Sequence, residues 1–304
     1  MSSVALSQAG RRSRTLVREW GLFLALVAPN LLFLFAFTYW PLVYNAYLSL
    51  VDWDMISPEK TFTGLDNYKD LFTTPAFWRI VANTFYFVIV GVGATMAVAL
   101  AVALLLNQKL HGRGVARTVV FAPTVLTGSA VAIVWVYIFD PTYGLLRVFL
   151  NLVGITSPKW LTDLVWAMPA LLIVYVWKNF GYAVIVYLAG LQGIPKEIYE
   201  AAIVDGASPW DRFRHVTWPG LGPISFFLLV TSILNSFQAF DIVQVMTKGG
   251  PVNATNTLIY HLYEEGFVAF HAGRAAAIGI VLFALMLAVT VVQLRTVERK
   301  VHYG

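Results

Sequence analysis

The 304 residues are 59% hydrophobic and only 12% charged, about half the charged share of an average soluble domain, and the mean hydropathy is +0.71. So few charges cannot solvate so much apolar surface, which excludes a water-soluble enzyme and low-complexity disorder alike. The net charge of +5 is spread between apolar blocks rather than gathered in one patch, so it does not point to nucleic acid. The absence of cysteine removes disulfides, thiolate metal sites and cysteine nucleophiles.

In chain order, no Asp, Glu, Lys or Arg occurs from Trp20 to Val51, Ile80 to Gln108, Thr118 to Phe139, His215 to Phe240, or Ala275 to Leu294. A sixth block, Leu164 to Pro195, is interrupted only by Lys178. Each supplies the ~20 residues that cross ~30 Å of hydrocarbon at a helical rise. Helices are predicted near 21–40, 81–105, 118–138, 165–190, 223–245 and 275–295, because backbone groups in lipid must bond internally and the blocks lack a barrel's alternation. The fold class expected is thus an all-α integral membrane protein of six spans.

Orientation follows from the basic residues. One side holds Arg11, Arg12, Arg14, Arg18, Lys109, Arg113, Arg117, Lys196, Arg212, Arg214, Arg295, Arg299 and Lys300, against seven on the other side in longer loops. Both termini are expected in the cytoplasm, in agreement with an even span number. The first apolar run is long, contains Pro29 and ends in Tyr39-Trp40-Pro41, which suits an uncleaved span rather than a secretory signal. No repeat of 20–50 residues and no long linker divides the chain, so residues 1–304 read as one membrane domain with an arm at 1–20 and a structured connector at 195–219.

That connector carries the most information. Pro195 suits the first turn of a helix and Glu197 its positive end. Gly206 is a natural stop. Ser208, Pro209 and Asp211 then read as a cap, a first helical position and a capping box with Asp in place of Glu. Two short helices at an angle are expected outside the membrane; on these grounds alone they could be a solvated connector.

Glu200-Ala201-Ala202, three residues, Gly206, nine residues, Val216, one residue, Trp218-Pro219 resembles the signature loop of permease subunits in binding-protein-dependent ATP-binding-cassette importers. That signature is Glu-Ala-Ala, three residues, Gly, nine residues, Ile, one residue, Leu-Pro. Val216 and Trp218 depart from it and remain apolar. The resemblance implies that Glu200, Ala201, Ala202, Asp205, Gly206 and Pro219 seat in a separate ATPase subunit and pass its closure to the spans. No Gly-x-x-x-x-Gly-Lys-Ser/Thr loop occurs in the chain, so this chain is expected to bind no cofactor, with ATP and magnesium used by the partner. The resemblance implies further partners: a second homologous permease, two ATPase domains, an extracytoplasmic solute-binding protein and a small-molecule solute, in a bacterial inner membrane.

Gly249-Gly-Pro-Val-Asn-Ala-Thr-Asn-Thr-Leu-Ile-Tyr260, Tyr263-Glu-Glu-Gly-Phe267 and Val297-Glu-Arg-Lys-Val-His-Tyr303 are similar to the A-type permease subunit of glycerol-3-phosphate importers. This implies glycerol-3-phosphate or glycerophosphodiesters such as glycerophosphocholine as solute, with a disaccharide or polyol as the alternative.

The spans offer candidates for a solute path. Lys178 lies near the centre of the fourth, where a charge costs roughly 2.5–3.5 kcal/mol on insertion scales. Tyr175, Lys178, Asn179 and Tyr182 recur at helical spacing to make one polar, aromatic face. In the fifth span Thr231, Asn235 and Gln238 line another, with Asp241 a turn beyond. Lys178 suits a phosphate and Asp241 an ammonium head, aided by aromatic faces. The plainer alternative is that Lys178 and Asp241 pair with each other, or snorkel to polar boundaries. Asn83 and Trp135 are further candidates, while Trp40 and Trp166 read as interface anchors. Two other classes remain. A self-contained secondary transporter favours paired broken helices, which the sequence does not announce. A membrane enzyme needs a site, and His111, His215, His261, His271 and His302 form no metal or nucleophile motif.

Overall fold

The uncharged blocks lie in the long apolar helical stretches. The computed structural model describes residues 20–21, 23–108 and 111–296. The basic arm with Arg11, Arg12, Arg14 and Arg18, then Lys109, and the tail from Val297 to Tyr303 with Arg299 and Lys300, lie outside the described residues. The first span comprises α1 (residues 23–34), a π turn at Phe35–Tyr39 and α2 (Trp40–Leu48). The wide turn precedes Pro41, whose missing N–H and ring bulk a regular turn would not accept. Val51–Asp52 and Thr61–Phe62 then pair as a two-stranded antiparallel hairpin, β1 and β2, so the fold is not strictly all-α.

Two helices follow, α3 (Asp66–Thr73) and the 32-residue α4 (Pro75–Leu106), with Pro75 at its first position. The expected third span is not one helix. It is α5 (Arg113–Val125) and α6 (Gly128–Ile138), bent by 102°. Pro123 lies in the last turn of α5, and Leu126 and Thr127 are extended, so the i→i−4 ladder ends before Gly128 begins a new one. The chain continues through α7 (Leu145–Leu152), α8 (Ala167–Gly193), α9 (Lys196–Val204) and α10 (Pro209–Arg212). A π turn at Phe213–Thr217 leads into α11 (Trp218–Gly220), again just ahead of a proline, Pro219. The fifth span comprises α12 (Gly222–Phe237) and α13 (Asp241–Met246), interrupted at residues 238–240. Last come α14 (Leu258–Tyr263), a third π turn at Glu264–Val268, and α15 (Ala272–Thr296). Among the described residues five helical stretches are long and apolar enough to span a membrane, and the bent pair brings the number to six.

The centre of the molecule is α4 packed on α8. Phe87 and Gly91 meet Tyr175, while Ala99 and Ala103 share a buried cluster with Ala183, Tyr187 and Leu191. The two helices therefore run parallel. Small residues allow that approach where burial of apolar surface from water supplies no drive. α5 lies against α8 in the opposite sense. A Cβ on Gly181 would collide with the Val120 carbonyl, and Thr124 Oγ1 donates to the Lys178 carbonyl at 3.2 Å. The ends of α4 and α8, the start of α5 and the α9–α11 segment consequently share one side. The hairpin, α3 and residues 247–271 share the other, where Asn83 Nδ2 donates to Asn253 O at 2.8 Å and Asn256 O at 3.1 Å.

Candidate functional site

Two regions hold the residues singled out in the sequence. The first is a cavity of about 350 Å³ lined by Tyr175, Lys178, Asn179, Asn235, Gln238, Ala239, Asp241 and Ile242. It lies where α8 passes the interruption between α12 and α13, where Gln238, Ala239 and Phe240 donate their N–H groups locally to Asn235 O, Ser236 O and Gln238 O. Lys178 stands near the middle of the 27-residue α8. Tyr175 is buried edge-on against Phe87, with ring centroids 5.0 Å apart, and its hydroxyl donates to Ser232 O at 3.5 Å. Asn179 Nδ2 donates back to Tyr175 O at 2.8 Å, which leaves its carbonyl oxygen for the cavity. Asp241 Oδ1 accepts the Ile242 N–H at 3.0 Å. Among the described residues no ion pair within 4 Å joins Lys178 to Asp241, so the pairing alternative does not describe this conformation.

Of the expected path residues, Lys178, Asn179, Asn235, Gln238 and Asp241 come together. Tyr182 is 40% exposed and lies outside the lining. Thr231 also stands apart, its hydroxyl donating back to Phe227 O at 2.9 Å. Trp135 belongs to an aromatic cluster, 5.6 Å from Trp177 and 5.2 Å from Phe139 between ring centroids. Asn83 ties α4 to the loop at 247–257. A separate cleft of about 570 Å³ lies between α3, the start of α4 and the turn after α14. In its lining Arg274 lies 3.9 Å from Glu265 Oε2 and His261 3.7 Å from Glu264.

The second region is the α9–α11 segment. α9 ends as its sequence dictates, with Gly206 at φ +77°, Gly206 N–H donating to Ile203 O at 3.0 Å and Ala207 N–H to Ala202 O at 2.9 Å. That is a Schellman stop, for which glycine carries no Cβ penalty. Ser208 and Asp211 close the capping box, Asp211 N–H donating to Ser208 Oγ at 3.2 Å and Ser208 Oγ to Asp211 Oδ2 at 2.5 Å. The Ser208 hydroxyl, then its N–H, hold the Asp211 carboxyl below its ordinary range. Tyr199 and Thr217 hydroxyls, 2.9 Å apart, fix the angle between the two pieces, and Gly220 packs against Ile194. Glu200, Ala201, Asp205, Gly206 and Pro219 are exposed and Ala202 half-buried. Among the described residues neither the Glu200 nor the Asp205 carboxylate has a hydrogen-bond partner.

The family described as binding-protein-dependent transport system inner membrane component matches residues 9–302. The chain is 34% identical over 292 residues to the sn-glycerol-3-phosphate transport system permease protein UgpA of Pectobacterium atrosepticum, covering 96% of this chain and 99% of that one. It is 34% identical over 263 residues to a probable ABC transporter permease of Pyrococcus horikoshii, covering 86% and 90% respectively. Its fold matches a chain in the crystal structure of a bacterial ABC transporter involved in the import of the acidic polysaccharide alginate. That match has a TM-score of 0.81 and 24% identity, over 95% of this chain and 99% of that one. The chain therefore belongs to the family of inner-membrane components of binding-protein-dependent transport systems, and is a multi-pass permease subunit of an ABC importer.

Proposed function

We propose that this permease imports glycerol-3-phosphate or glycerophosphodiesters such as glycerophosphocholine, as one of two homologous halves around a shared path. The observation that carries the reading is the central cavity, which brings the Lys178 ammonium and the Asp241 carboxylate into one lining with three amides. A phosphodiester bearing a choline head has one negative and one positive group to match them, and its glycerol hydroxyls suit Asn179, Asn235 and Gln238. The names of its relatives support the same solute class. The amides alone also fit a disaccharide or polyol, and that is the second reading.

In the proposed cycle an extracytoplasmic solute-binding protein delivers the solute. Two separate ATPase domains bind Mg-ATP and close, and residues 195–219, seated on one of them through Glu200, Ala201, Ala202, Asp205, Gly206 and Pro219, pull on α8 and α12. Residues 1–304 act as a single transmembrane domain in this scheme, with no cofactor of their own. Both termini lie in the cytoplasm, on the side of α9 and of Arg113, Arg117, Arg212 and Arg214. Such a device needs two packings only a few kcal/mol apart, so that a partner's differential binding selects between them.

The test is uptake of labelled glycerophosphocholine by cells expressing the complete importer, with excess glycerol-3-phosphate or maltose as competitor. Competition by the phosphate ester alone is expected. Competition by maltose would move the solute to the carbohydrate class. Lys178→Ala is expected to raise KM for the phosphate ester about tenfold or more, the scale of a charge-assisted contact, with unchanged membrane levels. Unchanged kinetics would return Lys178 to a structural role.

A further inference from the structure

We infer that Gly128 is a positioning residue for the negative charge of the cavity: it seats the Asp241 carboxylate at the N-terminal end of α6 and thereby sets discrimination between cation-bearing and other solutes. The inference rests on the reading of the cavity as the solute path. It comes from the two helix interruptions, which meet at one point. Asp241 is the first residue of α13, just past the break at 238–240, and Gly128 is the first residue of α6, just past the 102° bend. A Cβ on Gly128 would fall on Asp241 Oδ2 and Cγ, with Oδ1 at 2.9 Å. The carboxylate therefore lies directly on the bare Cα.

Backbone geometry does not explain the glycine. Gly128 is absent from the residues with positive φ, so its conformation is open to any L-residue, and the three heavy atoms nearest to a side chain there all belong to the Asp241 carboxylate. The Ile242 N–H donates to Oδ1 of that carboxylate at 3.0 Å. The first turn of the 11-residue α6 lies beside the same group, and the positive end of a helix dipole favours an anion. Lys178 is the one other charged side chain in the lining. A larger residue at position 128 must push the carboxylate off α6 and into the cavity, where it alters both the space and the field that a cationic head meets.

The experiment uses the complete importer in proteoliposomes, with labelled glycerophosphocholine and glycerol-3-phosphate as probes. Gly128→Ala, Asp241→Asn, Asp241→Ala and the double variant Gly128→Ala/Asp241→Ala are compared with the parent for KM, Vmax and melting temperature. Gly128→Ala is expected to raise KM for glycerophosphocholine about tenfold and that for glycerol-3-phosphate less than about twofold, as loss of one well-aimed charged contact predicts. The double variant should match Asp241→Ala in kinetics and melting temperature, since removing the carboxylate removes the collision. This holds even if Gly128→Ala alone assembles poorly. A Gly128→Ala importer with the parental KM ratio, or a double variant worse than Asp241→Ala, overturns the inference. If Asp241→Asn also leaves the ratio unchanged, the path reading fails with it; if Asp241→Asn changes the ratio, only the role of Gly128 is lost. Should neither ester be taken up, the solute proposal fails, and the melting temperatures still decide on the contact: rescue in the double variant upholds it and additive losses overturn it.

Discussion

The loop at 247–257 and the segment at 195–220 are both polar connectors between apolar helices, yet they are built in opposite ways. In the loop at 247–257 Thr255, Asn256 and Thr257 are buried. Thr255 Oγ1 donates to Gly250 O at 2.6 Å, Asn256 Nδ2 to Glu264 Oε2 at 2.6 Å, and Thr84 Oγ1 receives the Leu258 N–H at 2.9 Å. Asn83 adds two more ties from α4. No residue of α9 or α10 is buried, and Val204 is 86% exposed beside Ile203 and Trp210. Polar bonding turned inward makes a fixed wall. Apolar side chains and unpaired carboxylates turned outward, on a segment too charged for lipid, are what the proposed seat on an ATPase requires.

That contrast can be broken from either end. The largest effect is expected at residues 195–220. Gly206→Pro cannot adopt the observed φ of +77°, so coupled uptake should vanish while membrane insertion persists; normal uptake would sink the coupling assignment. Val204→Asp should reduce uptake about tenfold through the desolvation of one buried charge at the interface, with unchanged thermal stability of the isolated subunit. A loss of stability instead would mean that this side chain packs within the chain. Asn256→Ala, in the loop at 247–257, should do the reverse, lowering stability by about 1–3 kcal/mol through unpaired buried groups and leaving uptake per assembled importer unchanged. The smallest effect concerns Asp211. Its carboxyl is lowered in the fold from 3.8, so its contribution is complete above that unfolded value and is lost as pH falls through the lower folded one. Protection of the Asp211 and Arg212 amides, relative to their intrinsic exchange, should accordingly be constant between about pH 8 and 5 and fall in stronger acid. A transition near neutrality would contradict this.

Much of the segment at 195–220 was legible from its residues, because caps and stops are local signals. Gly206, Ser208 and Asp211 each do in the fold what their type favours, while Pro195 stands one residue ahead of the expected first turn, at the N-cap of α9. Span positions were equally plain from gaps in charge, which is why only helix ends moved, as where α4 begins at Pro75 rather than near 81. The bend at Leu126–Thr127 was not legible in that way, since hydropathy is blind to a break between two apolar halves. Pro123 followed by Thr127-Gly128-Ser129 was the available sign. The cavity was half legible. Helical spacing brought Lys178 and Asn179 to one face, but Tyr182, a further turn along, left it. Asn83 could not be read at all, because its partners Asn253 and Asn256 stand far along the chain and only packing brings them together.

In the proposed cycle the cavity lined by Lys178 and Asp241 opens to alternate sides as residues 195–219 are moved by an ATPase. The absence of cysteine permits a direct measurement: a single Gln238→Cys in the complete importer, labelled by a membrane-impermeant thiol reagent from outside, with nucleotide trapped and without. Faster labelling in the nucleotide-trapped state, abolished when Gly206→Pro is added, is the predicted result. Equal labelling in the two states would contradict it.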